Sequence, residues 1–230
     1  MLAVENLTRT YPSGAGLLTV LDQVSFQVAL GETLAVMGPS GSGKTTLISL
    51  CAGLDQPSGG RILLEDQDLG QLSERARSEL RNRKIGFVFQ SFHLIPTLTA
   101  LENVLVPAEL AGRFDQEDQA RAFLTRVGLA ERMNHFPSQM SGGEQQRVAI
   151  ARAFINQPKI VFADEPTGNL DDRTSETIED LLFEMNREMG TTLVIVTHDA
   201  HLAQKTHRIL SLRMGRVDSE SSTSALEHSA

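Results

Sequence analysis

The stretch TLAVMGPSGSGKTTL, Thr33 to Leu47, decides how the rest of the chain is read. An apolar run from Thr33 to Met37 stops at glycine-rich sequence, and Lys44, Thr45 and Thr46 then lead into a second apolar run. That order predicts a strand, a phosphate-cradling loop and a helix. Gly38, Gly41 and Gly43 permit turns in which successive backbone N–H groups converge on an anion, and the following helix aims its positive dipole end at the same point. The spacing is G-x-x-x-x-G-K-[ST], in which the lysine, Lys44, reaches the β- and γ-phosphates and the hydroxyl of Thr45 ligates Mg²⁺.

Upstream, Leu2 to Val28 alternates in short runs. Val24, Phe26 and Val28 would share one face of a strand, and Pro12, Ser13, Gly14 and Gly16 mark a turn. Tyr11, the only tyrosine, stands just ahead of that turn. Alone it is ordinary packing; beside a nucleotide it is a ring on which adenine could stack.

Downstream, the helix continues through Leu47 to Leu54 until Pro57, Ser58, Gly59 and Gly60 end it. Arg61 to Leu64 follows as a strand, and Ser73 to Lys84 as a charged helix with a solvated face. Ile85 to Phe89 is a buried strand by composition and delivers Gln90 at its C-terminal end, where open α/β sheets bind ligands. From about Ser91 to Gln157 the character changes. Pro96 and Pro107 interrupt the early part, and the remainder is helical in pattern, with Val148, Ala151 and Ile155 on one face. An inserted helical lobe is expected there. Inside it, SQMSGGEQQR, Ser138 to Arg147, sets Ser141, Gly142 and Gly143 ahead of a helix, which is either a second anion site or merely a capped helix.

Ile160 to Ala163, another apolar strand, leads to Asp164 and Glu165. A carboxylate at a strand end can hold Mg²⁺, and the next can orient or deprotonate an attacking water. Beside a phosphate loop the pair supplies what phosphoryl transfer needs together. Thr167 to Asp171, TGNLD, opens a helix whose stripe is Ile178, Leu181, Leu182 and Met185, closed by Gly190. Thr192 to Val196 is a further buried strand, ending at Thr197, His198 and Asp199. His198 and His201 invite a metal site, but no carboxylate or cysteine set completes one.

The bulk composition bounds the function class. With 230 residues and 40% hydrophobic content the chain can bury a substantial core, in one domain or one domain with an inserted lobe. The excess of 29 acidic over 21 basic residues argues against nonspecific binding to nucleic acid or an anionic membrane. Cys51 is the single cysteine, so no internal disulfide can form. The start, MLAVENLTRTYPSG, lacks a signal-peptide pattern, and no run approaches the roughly 18 apolar residues of a membrane span. A soluble, cytoplasmic chain is expected, whose membrane role would need another subunit.

Taken together, GPSGSGKT at Gly38, Gln90, MSGGEQQR at Met140, IVFADEP at Ile160, GNLD at Gly168 and THD at Thr197 closely resemble the nucleotide-binding subunit of ABC transporters. The resemblance covers about residues 2–217. FVFQSFHLIPTLTALENV, FADEPTGNLD and the short insertion after Tyr11 resemble the lipoprotein-releasing (LolD), macrolide-export (MacB) and YbbA-type group. It implies an α/β fold with a P-loop NTPase core (about 1–90 and 158–217), an N-terminal antiparallel β subdomain and an inserted α-helical subdomain (about 91–157), followed by a polar, mobile tail at 218–230.

The resemblance also implies roles. Tyr11 stacks on adenine, and Gly38, Ser40, Gly41, Ser42, Gly43, Lys44, Thr45 and Thr46 hold the phosphates of ATP. Thr45, Gln90 and Asp164 hold Mg²⁺; Gln90 also meets the attacking water and senses the membrane partner. Glu165 is the general base and His198 contacts the γ-phosphate. Asp171 lies at the interface of a homodimer, where Ser141, Gly142, Gly143 and Glu144 meet the nucleotide held by the other copy. The signature departs from the usual pattern in Met140 for leucine and in Glu144 followed by Gln145, which leaves the role of Glu144 open. The implied partners are integral membrane permease subunits, and the implied activity is ATP-driven export or extraction. Alternatives are mechanotransmission without cargo, solute import, and an ATPase acting on DNA or ribosomes; the last would need a coiled-coil insertion or a second cassette.

Overall fold

A computed structural model describes residues 1–14 and 16–223. In chain order its elements are strands β1 (Leu2–Ser13), β2 (Gly16–Val28) and β3 (Thr33–Met37), helix α1 (Lys44–Cys51), strands β4 (Gly59–Leu64) and β5 (Gln67–Asp68), and helix α2 (Glu74–Lys84). There follow β6 (Ile85–Phe89), α3 (Ala100–Leu110), α4 (Glu117–Arg126), α5 (Gly142–Phe154), β7 (Ile160–Asp164) and α6 (Asp172–Met189). The last elements are β8 (Thr192–Val196), α7 (Ala200–Gln204), β9 (Arg208–Arg213) and β10 (Arg216–Ser222). Contacts gather them into two compact units, Met1–Ser78 with Thr192 onward, and Glu79–Thr191.

In the first unit, β1 pairs antiparallel with both β2 and β4, giving the order β2-β1-β4-β5. Its core face is the alternating set Leu2, Val4, Leu7, Val24, Phe26 and Val28, all buried, as period-2 patterning requires. β3 instead runs parallel between β8 and β9. Flanked on both sides, it is apolar after Thr33, and Leu34, Ala35 and Val36 are at most 1% exposed.

The second unit holds the parallel pair β6 and β7, the long helix α6 and all the structure between them. Between residues 91 and 157 its described elements are helical, and Val148, Ala151 and Ile155 are fully buried. α6 begins at Asp171, whose side chain accepts from the Thr174 N–H, and ends at Gly190 with φ 60°, the left-handed residue that commonly closes a helix.

The structure corrects two expectations. Pro107 does not interrupt the chain but lies inside α3. That helix starts in a full capping box between Thr99 and Glu102 and buries Ala100, Leu101, Val104 and Ala108, which offsets the N–H that proline lacks. The polar tail does not begin at Asp218: residues through Ser222 form β10, antiparallel to β9. An edge strand is held by backbone pairing, which serine-rich sequence does not advertise, and Arg216 to Asp22 and Arg208 to Glu220 ion pairs flank it. The rest of the expected tail, 224–230, lies outside the described residues.

Candidate functional site

The phosphate loop leaves β3 at Met37 and enters α1 at Lys44. Gly43 caps that helix with φ 100°, and a Cβ there would come within 2.7 Å of the Leu21 side chain and 2.9 Å of the Val20 carbonyl. Only glycine fits both the conformation and the approach. α1 has no side-chain cap and no acidic residue in its first turn. Its first N–H groups therefore lack the side-chain partner that α3, α5 and α6 supply, and the dipole there favours an anion. Lys44 Nζ folds back to donate to the carbonyls of Gly38 (2.7 Å) and Pro39 (3.0 Å). The Ser42 hydroxyl is buried with no partner, while Ser40, Gly41 and Thr45 face solvent. Uncapped donors, a cation and a spare hydroxyl make a cradle whose chemistry fits a polyphosphate.

Two other expected residues belong to the same unit. β8 pairs in register with β3, Val36 opposite Val196, and the Thr197 N–H donates to the Val36 carbonyl. Exposed His198 thus leaves its strand beside the point where the phosphate loop leaves β3. Tyr11 is half-buried. Its hydroxyl donates to Asp55 (3.0 Å), and the Arg9 guanidinium lies over its ring, 4.4 Å from the centroid. Tyr11 and Asp55 together hold Arg9 above its ordinary pKa.

In the second unit, Asp164 ends β7 opposite Phe89 of β6, so Gln90 comes one residue after that pairing. The Gln90 amide donates to Asn169 (3.1 Å), and Asn169 donates back to the Gln90 carbonyl (3.0 Å). Glu165 sits at φ 46°, immediately before Pro166. Left-handed backbone is costly for a non-glycine residue, by about 1–3 kcal/mol, and tends to persist where a side chain must be aimed.

Ser141 is the N-cap of α5. Its hydroxyl accepts from the Glu144 N–H (3.3 Å), while the Glu144 carboxylate accepts from the Ser141 N–H (2.8 Å) and from Arg132 (3.2 Å). The Ser141 N–H, with Arg132 beside it, holds the Glu144 carboxyl below its ordinary pKa. Gly143 is buried, and a Cβ on it would lie 2.5 Å from the Thr174 methyl in α6. Asp171 caps α6, and the Thr174 hydroxyl and N–H lower its pKa. The second unit therefore gathers Gln90 with Asn169, Asp164 with the strand pair, and the start of α5 with that of α6. Among the described residues no group of three or more His, Cys, Asp or Glu could hold a metal.

The ABC transporter family model matches residues 21–168. The chain is 50% identical over 222 residues to the uncharacterized ABC transporter ATP-binding protein YbbA of Escherichia coli K12, covering 96% of this chain and 97% of that protein. It is 46% identical, with the same coverage, to the lipoprotein-releasing system ATP-binding protein LolD of Idiomarina loihiensis. The chain belongs to the ABC transporter ATP-binding proteins. The cassette is an ATPase, and its fold agrees with solved relatives. It superposes at TM-score 0.90 and 41% identity on the dimeric post-hydrolysis state of the cassette MJ0796 bound to ADP and Pi, covering 96% of this chain and 98% of that one.

Three residues of the cassette escaped sequence reasoning. Gln146, fully buried in α5, donates to the Pro166 carbonyl (2.5 Å) and so supports the turn that carries Glu165. A glutamine among the apolar positions of a helix was the available signal, since a buried amide needs a partner. Asn169 left none, because a polar residue in a turn is commonplace. Arg9, a lone cation in a strand, likewise gave none.

Proposed function

We propose that the chain powers export or extraction of a substrate through separate membrane permease subunits, as a homodimer that closes on two ATP molecules. The observation that carries this reading is the contrast of helix starts: α1 offers uncapped donors and Lys44, whereas α5 has its own hydroxyl cap and leaves only the Gly142 and Gly143 N–H groups unengaged by the helix. In this reading the first grips a nucleotide alone and the second completes a nucleotide already held by another copy. ATP drives closure because it makes contacts in the closed state that it lacks in the open one.

Within that dimer Gly38 to Thr46 hold the phosphates and Tyr11 stacks on adenine. Thr45, Gln90 and Asp164 would hold Mg²⁺, which supplies charge neutralisation on the β- and γ-phosphates. Glu165 takes a proton from water as its oxygen bonds to the γ-phosphorus and the bond to the ADP oxygen breaks. His198 contacts the γ-phosphate, and Ser141 with Gly142 and Gly143 meets it from the other copy. Asp171 lies at the copies' shared interface. Loss of the γ-phosphate removes the bridge and the pair reopens.

Export or extraction is favoured by likeness to LolD, named for a lipoprotein-releasing system. No described helix is long and apolar enough to cross a membrane, which suits a subunit docked on the cytoplasmic face of a permease. Affinity purification from native membranes tests this: a permease with an extracytoplasmic domain, together with ATP-dependent release of membrane material, is expected. A permease partner whose only output is activation of an envelope enzyme would replace export with mechanotransmission, and a ribosome or DNA fraction would overturn both.

A further inference from the structure

β1 parts from β4 ahead of Tyr11 while staying paired with β2. Pairing with β4 stops at Thr8 opposite Gly59, and the register with β2 shifts on both sides of Arg9. Another segment takes over: residues 55–58, which follow α1. The Ser58 N–H donates to the Thr8 carbonyl (2.8 Å) and the Thr10 N–H to the Ser58 hydroxyl (3.0 Å). Arg9 donates to the Gln56 carbonyl (2.6 Å) and to Asp55 (2.9 Å). Asp55 is shared, since its second oxygen accepts the Tyr11 hydroxyl. With the guanidinium over the ring, one face of Tyr11 is occupied and its rotation is fixed at both ends. Only the other face is left for a base, with Leu18 as the cross-strand neighbour of Tyr11.

We infer that Arg9 and Asp55 are positioning residues for the adenine platform, tying the Tyr11 ring to the segment after the phosphate-loop helix so that base and phosphates are held at a fixed spacing. This rests on Tyr11 stacking on adenine. The guanidinium's rigid fork suits this placement, because one group spans a carbonyl and a carboxylate while its central carbon lies over the ring. A lysine would keep the charge and lose the span.

The chain has one tyrosine and no tryptophan, so its near-ultraviolet emission reports Tyr11 alone. The full chain and its Arg9→Ala, Arg9→Lys and Asp55→Asn variants are titrated with ATP and with inorganic triphosphate, which has no base. Arg9→Ala should weaken ATP binding by about 3–30-fold, reduce the emission change and raise KM for ATP in step. Inorganic triphosphate should bind as before, and Arg9→Lys should not restore ATP affinity. Asp55→Asn, which keeps the volume and an acceptor for the tyrosine, should fall between and guards against a folding defect at Arg9. Equal losses for ATP and triphosphate, or wild-type ATP binding and emission in both Arg9→Ala and Asp55→Asn, would overturn the inference. The platform itself fails differently: ATP would bind the parent chain without altering Tyr11 emission, and Tyr11→Leu would match parental affinity.

Discussion

The starts of α1 and α5 are both glycine-rich and both precede a helix; from sequence the first reads as an anion site and the second as either an anion site or a capped helix, and the two are built differently. At α1 the N-cap is Gly43 in left-handed backbone, no side chain caps the helix and its first turn has no acid. At α5 the cap is Ser141, reciprocated by Glu144 in a closed box. A helix start without a cap is a cost unless something else satisfies it. Lys44 supplies charge rather than a cap, and its own hydrogen bonds are to Gly38 and Pro39. The start of α1 thus suits the anion proposed for it, whereas α5 is nearly satisfied as it stands, which suits the proposed role of meeting a ligand held by another copy. Thr99 caps α3 and Asp171 caps α6 as Ser141 caps α5, and α4, which has no side-chain cap, carries Glu117 and Asp118 in its first turn, where α1 has no acid.

The largest expected effect lies outside both starts and separates binding from chemistry. Glu165→Gln should cut ATP hydrolysis on the order of 10²–10³-fold, by analogy with loss of one transition-state group, while nucleotide affinity is kept. Steady-state turnover beside equilibrium binding checks it, and parental turnover would remove Glu165 from the role of base. Lys44→Ala comes next and strikes α1 directly. ATP affinity of dilute protein should fall by about 10–100-fold, the worth of a charged hydrogen bond with about 1.5–3 kcal/mol in it. Unchanged affinity in calorimetry would mean that the uncapped helix start is not the phosphate site.

Ser141→Ala then breaks the comparison from the other side. Affinity of dilute protein for ATP should stay near parental, whereas the rise of activity per chain with protein concentration should be lost. Loss of the cap should also cost about 1 kcal/mol of stability, visible in thermal unfolding. If Ser141→Ala weakened ATP binding in dilute protein as much as Lys44→Ala does, the two starts would serve one nucleotide within one chain.

Legibility in the sequence follows the same division. The phosphate loop, the strands β3, β6, β7 and β8, and the acidic pair Asp164 and Glu165 were readable because each couples an apolar run to an abrupt polar end, a local pattern. β10 was not, because its pairing uses backbone groups that every residue carries. Pro107 misled because the capping box that starts α3 lies eight residues before it, at Thr99, and burial of the helix face depends on packing that residue type does not reveal. Gln90 was placed at its strand end, but its partner Asn169 comes 79 residues later in the chain, and no periodicity links such pairs. Left-handed backbone at Glu165 is likewise invisible from residue type, since glutamate rarely adopts it.

The smallest effect addresses the residue the signature pattern left open. Glu144 accepts from the Ser141 N–H and from Arg132, and its pKa is lowered from the ordinary 4.5 chiefly by the Ser141 N–H. A depressed carboxyl stabilises the folded state fully above its unfolded value and loses that contribution as pH falls through its folded one. The stability difference between the parent and Glu144→Gln should therefore be constant above pH 4.5 and shrink below it, by less than about 1 kcal/mol for a partly exposed group. Subtraction matters, because Asp171 and Glu102 are depressed too and lose their contributions in the same acid range. Glutamine can still accept from the Ser141 N–H, so Glu144→Gln should keep most of the concentration-dependent activity that Glu144→Ala loses with the box. Equal loss in both variants would assign Glu144 a charge role toward the partner's nucleotide; activity retained in both would confine the box to helix stability and leave Ser141 to orient itself.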